Sequence, residues 1–260
     1  MGQDVSTNGF FGDDAAICNK RGEHMLISLA SLLGYHIHAT DGELGKIVDF
    51  YFDENKWTVR DFVVELGNWF DRGKVLLSPL CLKKIDSPQK RLDVSLNMEK
   101  VKNSPDIDAH KPFSRQVEAD LLNYYQWPHY WTGAGIWGTT STYLGDLGEA
   151  GAGVTSRLAA KGTHLRSLLE IIGYEIHTSE ANFGKIEDAV VYDDTWELHY
   201  LVAKTKKWLP SKSVLLSPKS IKSISWQKGE LQTSLSSKQI RRLPGHHHGE
   251  PFPLSNGPQS

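Results

Sequence analysis

The stretch that decides the fold is Val75-Leu76-Leu77-Ser78-Pro79, because the same five residues recur as Val214-Leu215-Leu216-Ser217-Pro218. Moving the chain by 139 positions lays one stretch on the other. The same shift aligns Gly45-Lys46-Ile47 with Gly184-Lys185-Ile186, and 22 of the 72 positions from Gly34 to Pro105 are identical without a gap. A fixed internal period is typical of repeated structural units. The sequence therefore predicts two copies of one module.

Each copy is predicted to consist of short strands. In the first copy, turn sequences such as Asp41-Gly42 and Glu54-Asn55 separate runs rich in β-branched and aromatic residues. Gly42 suits a tight hairpin because glycine tolerates a positive φ, and Pro79 separates two strands because proline cannot donate to a ladder. The predicted strands are 35–40, 46–53, 57–66, 74–78, 81–86 and 92–96, and a short helix closes each copy at 97–102 and 236–242. The pattern predicts a mainly β fold: two small antiparallel barrels, or curled sheets, in tandem.

The repeat also divides the chain into five parts. We expect a flexible tail over 1–24, a first module over 25–105, a linker over 106–162, a second module over 163–244 and a disordered tail over 245–260. The linker contains a predicted helix over 114–123, which Ser114 can cap, then an aromatic segment and a tether rich in glycine, threonine and serine. The sequence leaves open whether the two modules pack side by side about a pseudo-twofold axis or stay separate.

Composition narrows the class of protein. The formal net charge is -2, which gives no general attraction to nucleic acid. The two cysteines, Cys18 and Cys81, lie far apart, so neither a disulfide framework nor a structural zinc site is expected. The first 25 residues lack the apolar core of a signal peptide, and no run of about 18 apolar residues occurs. We therefore expect a cytoplasmic protein whose contact with the inner membrane, if any, is peripheral.

Several features of each copy, in a fixed order, resemble the PRC-barrel family. They are a Gly-Tyr-x-Ile opening, the Gly-Lys-Ile-x-Asp strand, a tryptophan before the long strand, the Val-Leu-Leu-Ser-Pro element and a closing proline. The segment 112–131 is similar to the tail found in tandem bacterial members. The family is named after the cytoplasmic domain of the photosynthetic reaction-centre H subunit. It also includes a domain of a ribosome-maturation factor and many stress-linked bacterial proteins.

The resemblance implies a binding module, since members mostly hold other macromolecules in place. We expect neither the N-terminal membrane helix of the reaction-centre H subunit nor the additional N-terminal domain of the ribosome factor. The first functional hypothesis is therefore a non-catalytic scaffold for protein partners, including further copies of itself, peripheral to a membrane or photosynthetic complex or linked to stress. The alternative is an RNA- or ribosome-associated factor, favoured by a basic patch in the second copy. The patch comprises Lys204, Lys206, Lys207, Lys212, Lys219 and Lys222.

An aromatic cluster in the linker is the candidate interaction surface. Tryptophan and tyrosine present a large apolar body with one polar tip, which suits interfaces. The competing interpretation is that these rings pack back onto the first module and join its core. The cluster consists of Tyr124, Tyr125, Trp127, Tyr130, Trp131 and Trp137.

Residues that recur in both copies are better explained by a role in the fold than by a role in catalysis or metal binding. Trp57 and Trp196 recur, as do Trp69 and Trp208, and each pair is expected to close the core of its module. His38 and His177 also recur, but one histidine per copy is too few for a metal site without carboxylate or thiolate neighbours. Asp49 recurs as Asp188, and we expect it to make a hydrogen bond within its own hairpin.

Two further groups of residues are weak candidates for chemistry. Asp41 and Glu43 do not persist as an acid pair in the second copy, so turn formation explains them better than hydrolysis. His246, His247 and His248 lie in the tail, where loose metal binding would be adventitious. The patterns of serine hydrolases, P-loops, dinucleotide-binding turns and zinc proteases are absent from the sequence. We therefore expect no catalytic activity, no cofactor and no metal.

Overall fold

The computed structural model describes residues 25–68, 73–105, 114–131, 136–137, 164–205, 213–243, 245–246 and 252–253. These residues form two multi-stranded sheets with few helices, so the prediction of a mainly β fold is confirmed. The predicted tail over 1–24 and most of the tether lie outside the described residues, as do Trp69 and Trp208.

The elements of the first half, residues 25–105, follow the predicted strands closely. They are β1 (Leu26–Ser28), α1 (Leu29–Leu32), β2 (His36–His38), β3 (Glu43–Asp53), β4 (Thr58–Leu66), β5 (Lys74–Leu77), a 3₁₀ turn (Pro79–Cys81), β6 (Leu82–Asp86), β7 (Arg91–Val94) and α2 (Met98–Lys102). Helix α3 (Arg115–Tyr125) follows this half.

The second half, residues 164–243, repeats the same order of elements. They are β8 (Leu165–Ser167), α4 (Leu168–Ile171), β9 (Glu175–His177), β10 (Asn182–Tyr192), β11 (Leu198–Thr205), β12 (Ser213–Leu216), a 3₁₀ turn (Pro218–Ser220), β13 (Ile221–Ser225), β14 (Glu230–Thr233) and α5 (Ser237–Arg241). A two-residue strand, β15 (Gly245–His246), follows α5.

Of the barrel and the curled sheet that the sequence left open, the structure has sheets that are not closed, and the prediction of purely antiparallel pairing was wrong. The first sheet has the order β5-β4-β3-β2-β7-β6 and the second β13-β14-β9-β10-β11-β12-β15, and neither closes within the described residues. One pair in each sheet is parallel: β2 with β7, and β9 with β14. The chain leaves the sheet after β5 and returns with the β6–β7 hairpin on the far side of β2. Side-chain alternation along a strand identifies its faces but not its partner, so the sequence does not reveal this pairing.

The two halves exchange their first strands. Strand β1 pairs with β10 of the second half, from Leu26 opposite Tyr192 to Ser28 opposite Val190. Strand β8 pairs in the same way with β3 of the first half. A shift of 139 positions converts one set of contacts into the other, so the halves are related as in a pseudo-twofold dimer. Of the arrangements that the sequence left open, the structure has the side-by-side one.

Two equivalent aspartates fix each exchanged strand. Asp49 Oδ1 accepts a hydrogen bond from the Leu169 amide at 3.1 Å, and Asp49 Oδ2 accepts one from the Ser167 hydroxyl. Asp188 accepts the corresponding bonds from the Ala30 amide at 2.9 Å and the Ser28 hydroxyl. Each aspartate also accepts from the amide that follows it in its own strand. The prediction of a bond within the hairpin was therefore incomplete, since the aspartates mainly join the two halves.

The pseudo-twofold axis passes through a short bridge between Thr58 and Glu197. Around it, the Val59 amide donates to the Trp196 carbonyl at 2.9 Å, and the Leu198 amide donates to the Trp57 carbonyl at 2.7 Å. Both tryptophans have positive φ angles, 50° at Trp57 and 59° at Trp196. A left-handed conformation is unfavourable for a bulky residue. Here it lets each tryptophan carbonyl accept a hydrogen bond from the opposite half.

A single apolar core runs through both halves. Leu29 and Leu32 of α1 belong to the same buried cluster as Leu168 and Ile171 of α4. The ring of Trp196, only 2% exposed, meets Phe62 of the first half with 4.8 Å between centroids. The expectation that Trp196 is a core residue is confirmed, but its core is a shared one. Trp57 is only partly buried and stacks on Phe52 at 5.6 Å.

Two glycines of the repeat are explained by close packing. A Cβ at Gly45 would overlap the carbonyl oxygen of Glu65, and a Cβ at Gly184 would overlap that of Lys204. Gly42 has no positive φ, contrary to expectation, and a Cβ there would approach Met98 Sδ to 2.5 Å. The glycine in the Gly-Lys-Ile element is therefore required because β3 and β4, and likewise β10 and β11, approach closely at that point.

Replacing Asp49 or Asp188, which fix the exchanged strands, should destabilise the whole chain, and the two replacements should have similar effects. Asp49→Ala and Asp188→Ala each leave a serine hydroxyl and two amides without their acceptor, which costs about 1–3 kcal/mol of the free energy of unfolding. Urea unfolding followed by tryptophan fluorescence measures this loss. Glu180→Ala, in an exposed turn, is the control and should leave the midpoint unchanged. A wild-type midpoint in both aspartate variants would contradict the proposed role of the exchange.

Candidate interaction site

Helix α3 presents the aromatic segment to the first sheet. Its N-cap is Ser114, as predicted, and the Ser114 hydroxyl accepts a hydrogen bond from the Val117 amide at 3.3 Å. The helix ends at Gln126, whose φ of 61° is left-handed. The Trp127 amide then donates to the Leu122 carbonyl at 2.8 Å, which turns the chain back towards the sheet.

The six candidate rings occupy two kinds of position. Tyr125 and Tyr130 are buried, 4% and 3% exposed, so for these two the competing interpretation of inward packing describes the structure. Tyr124, Trp127, Trp131 and Trp137 are half-buried. A role for these four rings in binding a partner stays a prediction.

Three rings, those of Tyr124, Tyr125 and Trp127, attach the aromatic segment to α2, the closing helix of the first half. Tyr125 and Trp127 stack with centroids 4.3 Å apart and an interplanar angle of 19°. Tyr124 packs edge-on against Tyr125 and donates its hydroxyl hydrogen bond to the Lys100 carbonyl of α2 at 2.8 Å. These contacts fix the end of α3 against α2.

A buried charged network anchors the rest of the segment. The Glu118 carboxylate accepts hydrogen bonds from Arg115 Nη1 at 2.9 Å and from the Tyr130 hydroxyl. Arg115 also lies over the Trp131 ring, 4.3 Å from its centroid. All of these side chains except Trp131 are less than 9% exposed. Hydrogen bonds between charged groups at such sites are short and strong, and they also define a single geometry.

Arg60 of β4 continues the network from the sheet side. Its guanidinium lies 3.9 Å from the centroid of the Tyr130 ring and 4.9 Å from that of Trp137, and its Nη1 donates to the Ile136 carbonyl at 2.6 Å. Asp53 is its nearest carboxylate, with 3.8 Å between Nη2 and Oδ2. The side chain of Arg60 is 2% exposed, so the aromatic segment covers a charge in the middle of a strand.

Asp61 faces Glu118 across a small pocket. The pocket is about as large as one water molecule, and the carboxylates share its lining with Arg60, Ser78 and Tyr130. Burial, reinforced by the charge of Glu118, raises the pKa of Asp61 to about 8. Burial also raises the pKa of Glu118 to about 7, although Arg115 and Tyr130 oppose the shift. The network contains three buried acids, Asp53, Asp61 and Glu118, but only two arginines. The excess of acids favours a proton on one of the carboxyl groups.

The mouth of this pocket is the most exposed apolar part of the site. Leu80, which is 39% exposed, lines it together with Pro128 and Trp137. We call these three residues the pocket mouth. Sequence reasoning identified Trp137 but missed Leu80, Arg60, Asp61, Arg115 and Glu118. The signal in the sequence was the charged pair Arg60-Asp61 between the apolar residues Val59 and Phe62.

The recurring histidines, His38 and His177, lie at half-buried strand positions beside carboxylates, and His36 lies beside the same carboxylate as His38. His36 Nδ1 is 2.6 Å from Glu43, and His38 Nε2 is 3.8 Å from the same carboxylate. In the second half, His177 lies 3.7 Å from Glu175. The hydrogen bond with His36 lowers the pKa of Glu43. The carboxylate neighbours that sequence reasoning had not foreseen are therefore present, but the described residues contain no group of three or more side chains suited to a metal ion.

The remaining candidates have structural surroundings. The Asp41 carboxylate accepts a hydrogen bond from the Met98 amide at 2.8 Å and thus joins its turn to helix α2. Cys81 is buried, donates to the Ser78 carbonyl, and has its pKa raised to about 12 by burial. His246 belongs to β15, whereas His247 and His248 lie outside the described residues. The disordered tail over 245–260 stays a prediction.

Comparison with known families identifies a PRC-barrel domain at residues 25–96. This domain is generally a non-catalytic interaction module, and the match includes β1 to β7 but not α3 or the second half. No curated protein matches the chain. Among the residues that the structure describes, no helix is long and apolar enough to cross a membrane.

The buried acids should make stability depend on pH. Because the pKa of Asp61 rises from 3.8 to about 8 on folding, the folded state binds its proton more tightly, and the free energy of unfolding should fall as the pH rises between these values. Asp61→Asn removes the free-energy cost of ionising this buried carboxyl group. The variant should therefore be more stable than the wild type at pH 9 and lose less stability between pH 5 and pH 9. Urea unfolding at both pH values tests this expectation.

Asp120→Asn is the matched control, since Asp120 lies on the exposed face of α3 and bonds only to Gln116 among the described residues. It should keep the pH dependence of the wild type. An Asp61→Asn variant with that same dependence would show that Asp61 is ionised in the folded chain, contrary to the expectation.

Proposed function

We propose that the protein is a non-catalytic assembly scaffold, and that the pocket mouth and the half-buried rings around it bind a protein partner. The observation that carries the proposal is the buried network of Arg60, Arg115, Glu118 and Tyr130. It holds an aromatic segment rigidly on the PRC-barrel domain while Leu80 stays exposed. Rigid presentation lowers the entropy lost on binding.

The composition of the site supports binding to protein. Tryptophan, tyrosine and arginine are the residues most enriched among those that dominate interface energies. Trp137 lies over Arg60 and lines the pocket beside Leu80 and Pro128, so a partner side chain that packs on the pocket mouth would contact apolar surface with a charged group beneath it. Such a site favours an apolar anchor residue of a partner over a small polar substrate.

The proposal also states which complex the partner belongs to and where in the cell the scaffold binds it. By analogy with the reaction-centre H subunit, the partner is a component of a membrane-associated complex, photosynthetic or stress-linked, and the scaffold is a peripheral cytoplasmic subunit of it. The RNA-binding alternative receives less support, because Lys204 of the basic patch pairs with Glu187 at 2.8 Å. Lys206, Lys207 and Lys212 lie outside the described residues.

Changing the pocket mouth should remove partner binding without unfolding the chain. Leu80→Ala truncates an exposed side chain and Trp137→Ala a half-buried ring. Each should reduce recovery of the partner complex at least about tenfold, the usual loss when a dominant interface residue is truncated. The measurement is an affinity pull-down of the tagged full chain from separate membrane and soluble fractions, quantified by mass spectrometry. Circular dichroism checks that the variants are folded.

Leu169→Ala is the matched control, because Leu169 is the other large exposed apolar residue of the described chain and lies on α4 of the second half. It should leave recovery unchanged. Equal recovery with all three variants would reject the pocket mouth as the binding site. Recovery of RNA or ribosomal proteins in place of a membrane complex would favour the alternative function.

A further inference from the structure

The strand exchange consists of two equivalent sets of contacts. Strand β1 pairs with β10, and Ser28 lies opposite Val190. Strand β8 pairs with β3, and Ser167 lies opposite Tyr51. The two pairs of residues are related by the shift of 139 positions, so the two registers are the same. Each half therefore has both partners of the exchange: a first strand that it donates and a long strand that receives one.

The hydrogen bonds of the exchange are duplicated in the same way. The first half contains Ser28, which donates to Asp188, and Asp49, which accepts from Ser167. The two amide-to-carbonyl bonds at the pseudo-twofold axis also form an equivalent pair. Because each half carries both a donor and an acceptor, the same contacts can form between halves that belong to different chains. Domain swapping of this kind is a low-cost route to dimers, since no surface has to change.

A contact that is not duplicated makes the first half select the second. The Glu54 carboxylate accepts hydrogen bonds from Arg166 Nη2 at 3.2 Å and from Trp226 Nε1 at 2.9 Å. The Arg166 guanidinium also lies 4.5 Å from the centroid of the Trp226 ring. The shift relates Arg166 to Ile27 and Trp226 to Ser87. Two first halves facing each other would therefore lack both of these donors to Glu54.

The residues at the axis disfavour pairing of two second halves. Thr58 of the first half lies opposite Glu197 of the second half. Two second halves would place Glu197 opposite another Glu197, and like charges directly opposite each other destabilise a strand pair. The contacts of Glu54 and Glu197 thus favour pairing of unlike halves. Two chains satisfy this preference when each first half pairs with the second half of the other copy.

The connection between the halves is long enough for such an exchange. Trp137 packs over Arg60 of the first half. The second half begins at His164, whose carbonyl accepts a hydrogen bond from the Glu54 amide at 2.9 Å. Between Trp137 and His164 lie 26 residues, which can span up to about 90 Å. A small domain is only about 30 Å across, so the second half can reach the first half of another copy.

We propose that the protein self-associates by exchanging halves, so that the first half of each copy binds the second half of the other and a dimer closes. The partner at this interface is a second copy of the chain. The dimer has the strand pairs, aspartate bonds and core of the single chain, and the two forms differ mainly in the path of the tether.

Concentration decides between the two forms. Within one chain, the tether supplies the second half at an effective concentration on the order of 1 mM, so dilute chains pair their own halves. Pairing between copies becomes comparable when the concentration of chains approaches this value. Many copies gathered on one large complex would meet that condition. The pocket mouth takes no part in the exchange, so the two proposals are independent.

The test uses two full chains with different affinity tags, each carrying one new cysteine. One copy has Leu26→Cys and the other Tyr192→Cys, because these residues lie opposite each other in β1 and β10, at a distance suited to a disulfide. Both copies also carry Cys18→Ser, while Cys81 is buried in the folded chain. The copies are mixed in urea with a reductant, refolded together and then oxidised. A disulfide between them reports pairing of β1 of one copy with β10 of the other.

Non-reducing gels should show a covalent heterodimer whose fraction is at least about tenfold larger after refolding at about 1 mM than at about 10 µM. The wild-type chain provides a measurement without new cysteines. Refolded at the same two concentrations and diluted, it should sediment as a dimer from the higher concentration and as a monomer from the lower. Circular dichroism checks that all chains are folded.

Leu165→Cys mixed with Tyr192→Cys is the matched control. Leu165 is equivalent to Leu26, but it lies opposite Asp53 of the first half. Its thiol meets the cysteine at position 192 of another copy only if two second halves pair. This mixture should give no covalent heterodimer.

Three outcomes would overturn the proposal. The first is a wild-type chain that stays monomeric, with no covalent heterodimer, after refolding at either concentration. The second is an equal yield of heterodimer from the Leu26→Cys and Leu165→Cys mixtures, which would mean that the halves pair without selection. The third is sedimentation of assemblies larger than a dimer, which would mean that the exchange does not close. Leu80→Ala in both copies should leave the yield unchanged, so this interface and the pocket mouth can fail separately.

Discussion

The exchange of first strands between the halves is the constraint on which the rest of the structure depends. Without β8, the edge of β3 would lack its partner from Tyr51 to Asp53, and Asp49 would be buried without its serine and amide donors. The exchanged helices α1 and α4 also carry apolar residues into the shared core. Neither half is complete alone, so the two sheets form one cooperative unit.

The two pseudo-symmetric halves have different residues on their outer faces. On the first sheet, Asp61 faces a charged network beneath a helix, whereas the equivalent residue on the second sheet is Tyr200 beneath a short tail. The equivalent core positions of the halves stay apolar because both must satisfy the same exchange. Their outer faces are free to differ. The proposed pocket mouth lies on the outer face of the first half, where a scaffold can hold a partner without changing its frame.

Much of the fold could be predicted from the repeat and from strand patterns. The strands from β2 to β7 and the cap at Ser114 followed from local chemistry. The exchange could not be predicted, because β1 and β8 are three residues long and alternation does not specify a partner. The candidate rings were visible in the sequence. Their division into buried and half-buried depends on contacts such as Tyr130 with Glu118, which only the packed structure brings together.

The pseudo-twofold axis has a consequence for how such a chain can change over time. In a dimer of identical subunits, any substitution near the axis occurs twice, so an unfavourable change is doubled and compensation must suit both copies. Here Thr58 faces Glu197 across the axis, and two different residues share a place that symmetry would make identical. Joining the halves in one chain thus allows each side of the interface to acquire substitutions separately. A covalent link has turned a self-complementary contact into one between two surfaces that can specialise.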